Sequence, residues 1–282
     1  PEELTLYLTL EPRPTYQRIQ PVTESIRATG IRRIIVGTED PFLRERGHGI
    51  RALRNYGLEV ILADGEEARG CQILYEDYAK AMNRFVPTLR LVCELRAESA
   101  ERYSVQTIQG NIPGIFDGVL IDLNTAYRKD LRFAEPGWIV LLDTFAGLPL
   151  DSAFVAEYGK RLLVCAANTP DVEAKLAGFR KAGIRNITVP LKNGMVDMGL
   201  VLRKLRELGL YSIYCAEGKD LWRSSIQSGL VDSVLCHVKQ DYDPVRTLSD
   251  LAKTRLEFAL GAAPIEFRLV RPHWLMKSES GF

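Results

Sequence analysis

The strongest constraint on how this chain can fold is the spacing of its apolar runs. Short runs rich in branched residues recur: TLYLTL at 5–10, RRIIVGT at 32–38 and LEVILA at 58–63. Between them lie segments of helical character that stop at a glycine: PVTESIRATG ends at Gly30 and IRALRNYG at Gly57. Apolar strands separated by helices pair in parallel, because each crossover covers a face of the sheet. Glycine just past a helix end admits the left-handed backbone that closes it. The pattern predicts an α/β fold with mainly parallel sheets.

After LEVILA, the stretch EEARGCQILYEDYAKAMNRF carries Ile73, Leu74, Tyr78, Ala81, Met82 and Phe85 at helical spacing, which predicts one long helix over 66–85. Pro87 interrupts it, and TLRLVCELRA reads as the next strand. The turn-rich QGNIPG lies within 98–116, where the pattern gives no clear element. Alternation then resumes. FDGVLID, WIVLLD, KRLLVCA, ITVPL, YSIYCAEG and VDSVLCHV read as strands. VEAKLAGFRKAG and MGLVLRKLRELG read as helices closed by Gly183 and Gly209, DLWRSSIQSG and LSDLAKTRLEFAL as further helices, and PIEFRLV as a last strand. A boundary near Pro87 gives two domains, 1–86 and 87–282, packed together because no flexible linker separates them.

The 282 residues suffice for a core in each. A net charge of +1 offers no attraction to nucleic acid or to a membrane surface. No apolar run approaches the length of a membrane span. The five cysteines include no C-x-x-C, and three sit in apolar runs such as LLVCAA, which reads as buried free thiols in a reducing compartment. The first residues are acidic and strand-like, unlike a signal peptide. The expected location is the cytoplasm.

TLYLTLEP, ESIRATGIRRIIVGTEDP, GHGIRALRNYGLEVILAD and the EEARGCQILY segment, in that order over about 4–92, resemble the deaminase half of the bifunctional riboflavin-biosynthesis deaminase/reductases, the RibD-like family. WIVLLDTFAGLPLDSAF, NGMVDMGLVLRKLRELGLYSIYCAEG and IQSGLVDSVLCHV, over about 117–240, resemble the reductase half more loosely. The resemblance implies a truncated cytidine-deaminase-like α/β domain followed by a dihydrofolate-reductase-like α/β domain.

A zinc deaminase needs an H-x-E segment and a later pair of cysteines around a metal-bound water. In the family those cysteines follow Glu-Pro and Pro-Pro. The resemblance puts them at Arg13 and Val22, and neither a guanidinium nor an isopropyl group can ligate zinc. His48, His237 and His273 are not followed two residues later by Glu. His48 reads as a surface or capping residue and His237 as a hydrogen-bonded strand residue. The expectation is a degenerate, N-terminally truncated member without zinc or deaminase activity.

The reductase resemblance implies NADPH as hydride source. Phosphates are commonly held at helix starts and by Arg or Lys. By position in the family resemblance, Glu217, Gly218, Thr144 and Thr125 are the cofactor-side candidates, and Asp130, Arg132 and Asp143 the substrate-side ones. Each also reads as an ordinary turn or surface residue. Lys219 stands where the family has a second glycine, and the family's Ser-x-Asp-Gly is missing from LRLVCELRAESAERYSVQTI. No G-x-G-x-x-G follows a strand, so a dinucleotide-binding fingerprint is not supported. No residue is assigned a catalytic role.

Two readings lead, with a new small-molecule activity on the old fold as the remaining alternative. One is a pseudoenzyme retained as a binding or scaffold subunit, in a homodimer or a larger complex. The other is an NADPH-dependent 5-amino-6-(5-phosphoribosylamino)uracil reductase-like oxidoreductase on a decayed deaminase platform. A shortened first domain also predicts an exposed sheet edge or apolar face. The C-terminal RPHWLMKSESGF is unlike the family and reads either as packing on its own domain or as an anchor into a partner.

Overall fold

A computed structural model describes residues 4–15, 20–99, 102–106, 110–112, 116–129, 131–133, 137–215, 221, 225 and 229–238. The chain forms two compact units, Pro1–Thr88 with Leu202–Ser212, and Leu89–Val201 with Ile213–Phe282.

The first unit is built on three parallel strands, β1 (Thr5–Leu8), β2 (Arg33–Val36) and β3 (Glu59–Leu62), in the order β1-β2-β3. The register puts Leu6, Ile34 and Val60 in one row and Tyr7, Ile35 and Ile61 in the next, on the opposite face. Helices α1 (Val22–Ala28) and α2 (His48–Asn55) cover the first face, where Ile26, Ile50 and Leu53 join Ile34, Val36 and Val60 in a core. The second face is thinly covered: Tyr7 is 72% exposed and Ile61 36%. The long helix expected over 66–85 is instead two helices, α3 (Gly65–Leu74) and α4 (Glu76–Arg84), with a break at Tyr75. The helical period of the apolar residues holds within each piece. Tyr75, whose φ of −111° leaves the helix, hydrogen-bonds through its hydroxyl to Thr9 Oγ1 (2.7 Å), and Glu76 and Asp77 restart the helix with acidic residues in its first turn.

In the second unit the main sheet runs β11-β10-β9-β7-β14-β4-β15. Its strands are β4 (Thr88–Ser99), β7 (Gly118–Asp122), β9 (Trp138–Leu142), β10 (Leu162–Ala167), β11 (Arg185–Val189), β14 (Ser212–Cys215) and β15 (Ser233–Val238). β14, β7, β9, β10 and β11 are mutually parallel, as are β4 and β15. β10 is buried at every residue, as a central strand of a doubly covered parallel sheet should be. Helices α5 (Leu123–Ala126), α6 (Ala153–Tyr158) and α7 (Pro170–Lys181) fall between strands, and α8 (Met198–Glu207) belongs to the second unit up to Val201 and to the first from Leu202. The glycines expected as helix stops, Gly30, Gly57, Gly183 and Gly209, all have positive φ (77°, 82°, 76° and 87°).

Two stretches differ from expectation. Residues 98–116 are not featureless: β5 (Arg102–Gln106) folds back antiparallel on β4, and β6 (Gly110–Ile112) pairs with β8 (Leu131–Phe133). The strand expected over ITVPL ends at Val189, before Pro190, which has no N–H to give. A hairpin of β12 (Leu191–Lys192) and β13 (Met195–Val196) follows, turning on Asn193 and Gly194, both at positive φ (53° and 79°). That is what a two-residue Asn-Gly turn supplies. LSDLAKTRLEFAL, PIEFRLV, the C-terminal RPHWLMKSESGF and most of DLWRSSIQSG lie outside the described residues.

Candidate functional site

The Glu-Pro turn after β1 is held by backbone donors from sequence-distant segments. Glu11 is 3% exposed, and its carboxylate accepts the N–H groups of Asp40 (2.9 Å), Gly47 (2.8 Å) and Ile50 (3.0 Å). Gly47 is the N-cap of α2 and Ile50 lies in its first turn. The carboxylate therefore answers the orphan donors and the positive end of that helix. Pro12 fits alongside: a Cβ at Gly49 would sit 1.8 Å from the Pro12 carbonyl oxygen, so only glycine admits this approach.

Arg13 comes next. Its Nε donates to Asp40 Oδ2 (3.4 Å), and its Nη2 donates to the Tyr78 hydroxyl on α4, whose ring centroid lies 5.7 Å from the guanidinium carbon. Asp40 is 1% exposed; its Oδ1 accepts the Phe42 N–H (2.8 Å) and its carbonyl accepts Arg46 Nε (3.4 Å). The Tyr78 hydroxyl titrates above the ordinary tyrosine range, first because it is partly buried and then because the Asp40 carboxylate disfavours a second negative charge, with Arg13 opposing. Val22, the other expected cysteine position, is the first residue of α1 and is exposed. His48 is the exposed first residue of α2. His237 lies on β15 in register with Glu94, and His273 lies outside the described residues. Among the described residues, no group of three His, Cys, Asp or Glu side chains is placed to hold a metal ion. Arg13 offers only N–H donors and no lone pair, so the residues at this turn do not fit zinc.

Sequence reasoning found Arg13 but not the residues that hold it. Asp40 was legible only as a letter of the TEDP motif, and Tyr78 only as an apolar position of a helix. Nothing local in either segment signals that the two converge.

In the second unit, strand order reverses between β7 and β14: the chain leaves β7 toward β9, β10 and β11, then returns to β14 on the other side. The carboxyl ends of parallel strands at such a reversal form a crevice. Thr125 sits there, in α5 directly after β7. It is 3% exposed, and both its N–H (2.8 Å) and its hydroxyl (2.6 Å) donate to Asp122 Oδ1, which caps α5. Thr144 follows β9, the neighbouring strand, and its carbonyl accepts the Ala167 N–H (3.0 Å). Asp143 is buried, and its two oxygens accept the N–H groups of Gly147 (2.8 Å) and Leu148 (2.8 Å), closing the loop before α6. Arg132 on β8 is exposed and donates to the Lys129 and Leu131 carbonyls. Asp130, Glu217 and Gly218 lie outside the described residues. Thr125, Asp143 and Thr144 thus share one edge of the sheet, with the Asp143 carboxylate turned to its own loop.

No family model matches the chain. The riboflavin biosynthesis protein RibD of Actinobacillus pleuropneumoniae is 25% identical over 252 residues, 83% of this chain and 66% of that protein. The Aquifex aeolicus RibD is 25% identical over 260 residues, 83% of this chain and 68% of its own length. A Synechocystis RibD is 43% identical over 74 residues, 26% of this chain and 20% of that protein. The chain thus spans about two thirds of the length of the first two. Acinetobacter baumannii RibD has a similar structure, with a TM-score of 0.61 at 19% identity, over 92% of this chain and 72% of that one. A Thermotoga maritima diaminohydroxyphosphoribosylaminopyrimidine deaminase/5-amino-6-(5-phosphoribosylamino)uracil reductase matches with a TM-score of 0.58 at 19% identity, over 83% of this chain and 67% of that one. The structural matches establish a shared fold, and the sequence matches run along most of the chain. Along most of its length the chain is similar in sequence to RibD proteins, and it shares their fold.

Proposed function

We propose that this is a riboflavin-biosynthesis-related protein that has given up zinc-dependent deamination and acts as a binding or scaffold subunit, in a homodimer or a larger cytoplasmic assembly. The observation that carries this reading is Arg13. At the position the family resemblance gives to a cysteine ligand, a guanidinium is engaged by Asp40 and by Tyr78. Zinc binding needs lone pairs there, and a permanently protonated side chain has none. Support also comes from Asp143, whose carboxylate closes a loop rather than standing open to a ligand. The test is to purify the protein from its own host and measure its bound zinc and its native mass together. Zinc well below one per chain, with a mass above that of a monomer, is the expected result. Stoichiometric zinc with release of ammonia from a pyrimidine substrate would overturn the reading.

A second reading, NADPH-dependent reduction, would rest on the strand reversal at β7 and β14, with Thr125 and Thr144 at its carboxyl edge. Here the cofactor would supply the hydride and these residues would orient it. A ligand that binds only the folded state raises the melting temperature, by about 2.7 kcal/mol of added stability at a hundred times its Kd. An unchanged melting temperature in millimolar NADPH eliminates this second reading.

A further inference from the structure

We infer that Arg13 is a cross-link that fixes α4 to the end of the first sheet, performing with a guanidinium the tying of segments that the proposed loss of a metal leaves to side chains. The inference deepens the reading above and rests on it only for the comparison with a metal; the cross-link itself stands on contacts within the first unit. Arg13 touches two segments 27 and 65 residues away in sequence, the turn at Asp40 and helix α4 at Tyr78. Its own backbone is anchored by its neighbours, since Glu11 caps α2 and the Pro12 carbonyl rests where Gly49 has no Cβ. Asp40 is fixed in turn by the Phe42 N–H. Three stretches of chain therefore meet at one planar group.

The link matters because the α3–α4 pair is docked largely by polar contacts. α3 buries no residue, and α4 buries only Ala81. Burial of apolar area is the usual means of docking a helix on a sheet, and here it is limited to Ala81 and partly buried side chains such as Tyr78 and Met82. Polar contacts stand in for it: Asn83 Nδ2 donates to the Pro41 carbonyl (2.8 Å) and its Oδ1 accepts the Leu43 N–H (3.3 Å), while Arg206 donates to the Ala81 carbonyl (3.0 Å). Among these contacts, the Arg13 link is the one that pairs a charge with a buried carboxylate. Lysine cannot replace it, because one ammonium on a flexible stem does not hold a carboxylate and a phenol in a fixed fork.

The experiment is amide hydrogen exchange on the full chain, comparing α4 with α2. Arg13→Met is expected to speed exchange in 76–84 about tenfold while 48–55 stays protected, the size expected for a coupled polar network. Tyr78→Phe, which removes one hydroxyl, should give a smaller acceleration in the same segment, and it keeps the test open if Arg13→Met does not fold. Adding Tyr78→Phe to Arg13→Met should change nothing further, because the partner is already gone. Arg13→Lys should resemble Arg13→Met. Additive effects in the double variant, or unchanged exchange in α4 in either single variant, would overturn the cross-link. Bound zinc in the unaltered protein would instead remove the comparison with a metal and leave the exchange result to stand on its own.

Discussion

The Glu-Pro turn of the first unit and the carboxyl edge of the second unit's sheet both carry acidic residues engaged by backbone donors. The reach of those contacts differs. Glu11 and Asp40 connect segments 27 to 39 residues apart. Asp122 and Asp143 accept from residues only three to five positions on. A carboxylate that bridges distant segments is a tertiary contact, and its loss should be felt through the whole unit. A carboxylate that caps its own loop shapes a turn, and its loss should stay local.

The largest effect that could break this comparison is at Glu11. Glu11→Ala leaves the Asp40, Gly47 and Ile50 N–H groups unanswered and uncaps α2. A loss of about 3–4 kcal/mol is expected from urea unfolding, given two or more buried donors left without a charged acceptor. If Glu11→Ala costs no more than Asp143→Ala, the distinction between tertiary and local carboxylates fails.

The second effect is alkaline and reverses the contrast. Burial pushes the Cys165 thiol and the Tyr214 hydroxyl of the second unit far up, while Tyr78 in the first unit is raised more modestly. A folded value above the unfolded one means the group favours folding below its unfolded pKa. That contribution is lost as pH rises past the unfolded value toward the folded one. For a fully buried thiol with an ordinary value near 8.5, the loss at about pH 10.5 is about 2–3 kcal/mol. Exchange or fluorescence followed by unit should show the second unit opening first. Earlier opening of the first unit would show that its charge network, not the buried thiol, governs the alkaline limb.

Third comes Asp143→Ala, which frees the Gly147 and Leu148 N–H groups in a loop that reaches solvent. About 1–2 kcal/mol is expected, with faster exchange confined to 143–150. A change spread across β9 and β10 would make this carboxylate tertiary after all.

How much of this was legible before the structure depends on range. The alternation of strands and helices was, because it rests on burial on both faces of a sheet and on glycine at helix ends; β2, α2, β10, α7 and α8 follow from local pattern alone. The break at Tyr75 was not, since the apolar spacing of 66–85 suits one helix, and the contact to Thr9 lies 66 residues away. The Asn193-Gly194 hairpin was legible in principle, from the dipeptide and the proline before it. At the site, Arg13 and Val22 were legible as departures from a family pattern. That Glu11 caps α2 was not, because capping is usually read within one helix turn and this acid lies 36 residues ahead of Gly47. Thr125 and Thr144 were placed on one sheet edge only through a strand order that no single segment encodes.

The smallest predicted effect separates a structural threonine from a ligand-facing one. The Thr125 hydroxyl donates to Asp122 Oδ1 at 2.6 Å, so its proton is committed to the cap of α5 and the oxygen can only accept elsewhere. Thr125→Val keeps the shape and removes that bond, at a cost of about 1 kcal/mol. Thr125→Ser keeps the bond, loses one methyl, and should cost less. If the two variants differ in stability alone, Thr125 belongs to the cap, as the long-range and local comparison implies. If Thr125→Val also abolishes a thermal shift by NADPH that Thr125→Ser retains, the hydroxyl faces a ligand as well. The carboxyl edge of β7 would then face a ligand, opposite in character to a Glu-Pro turn whose carboxylate holds distant segments together.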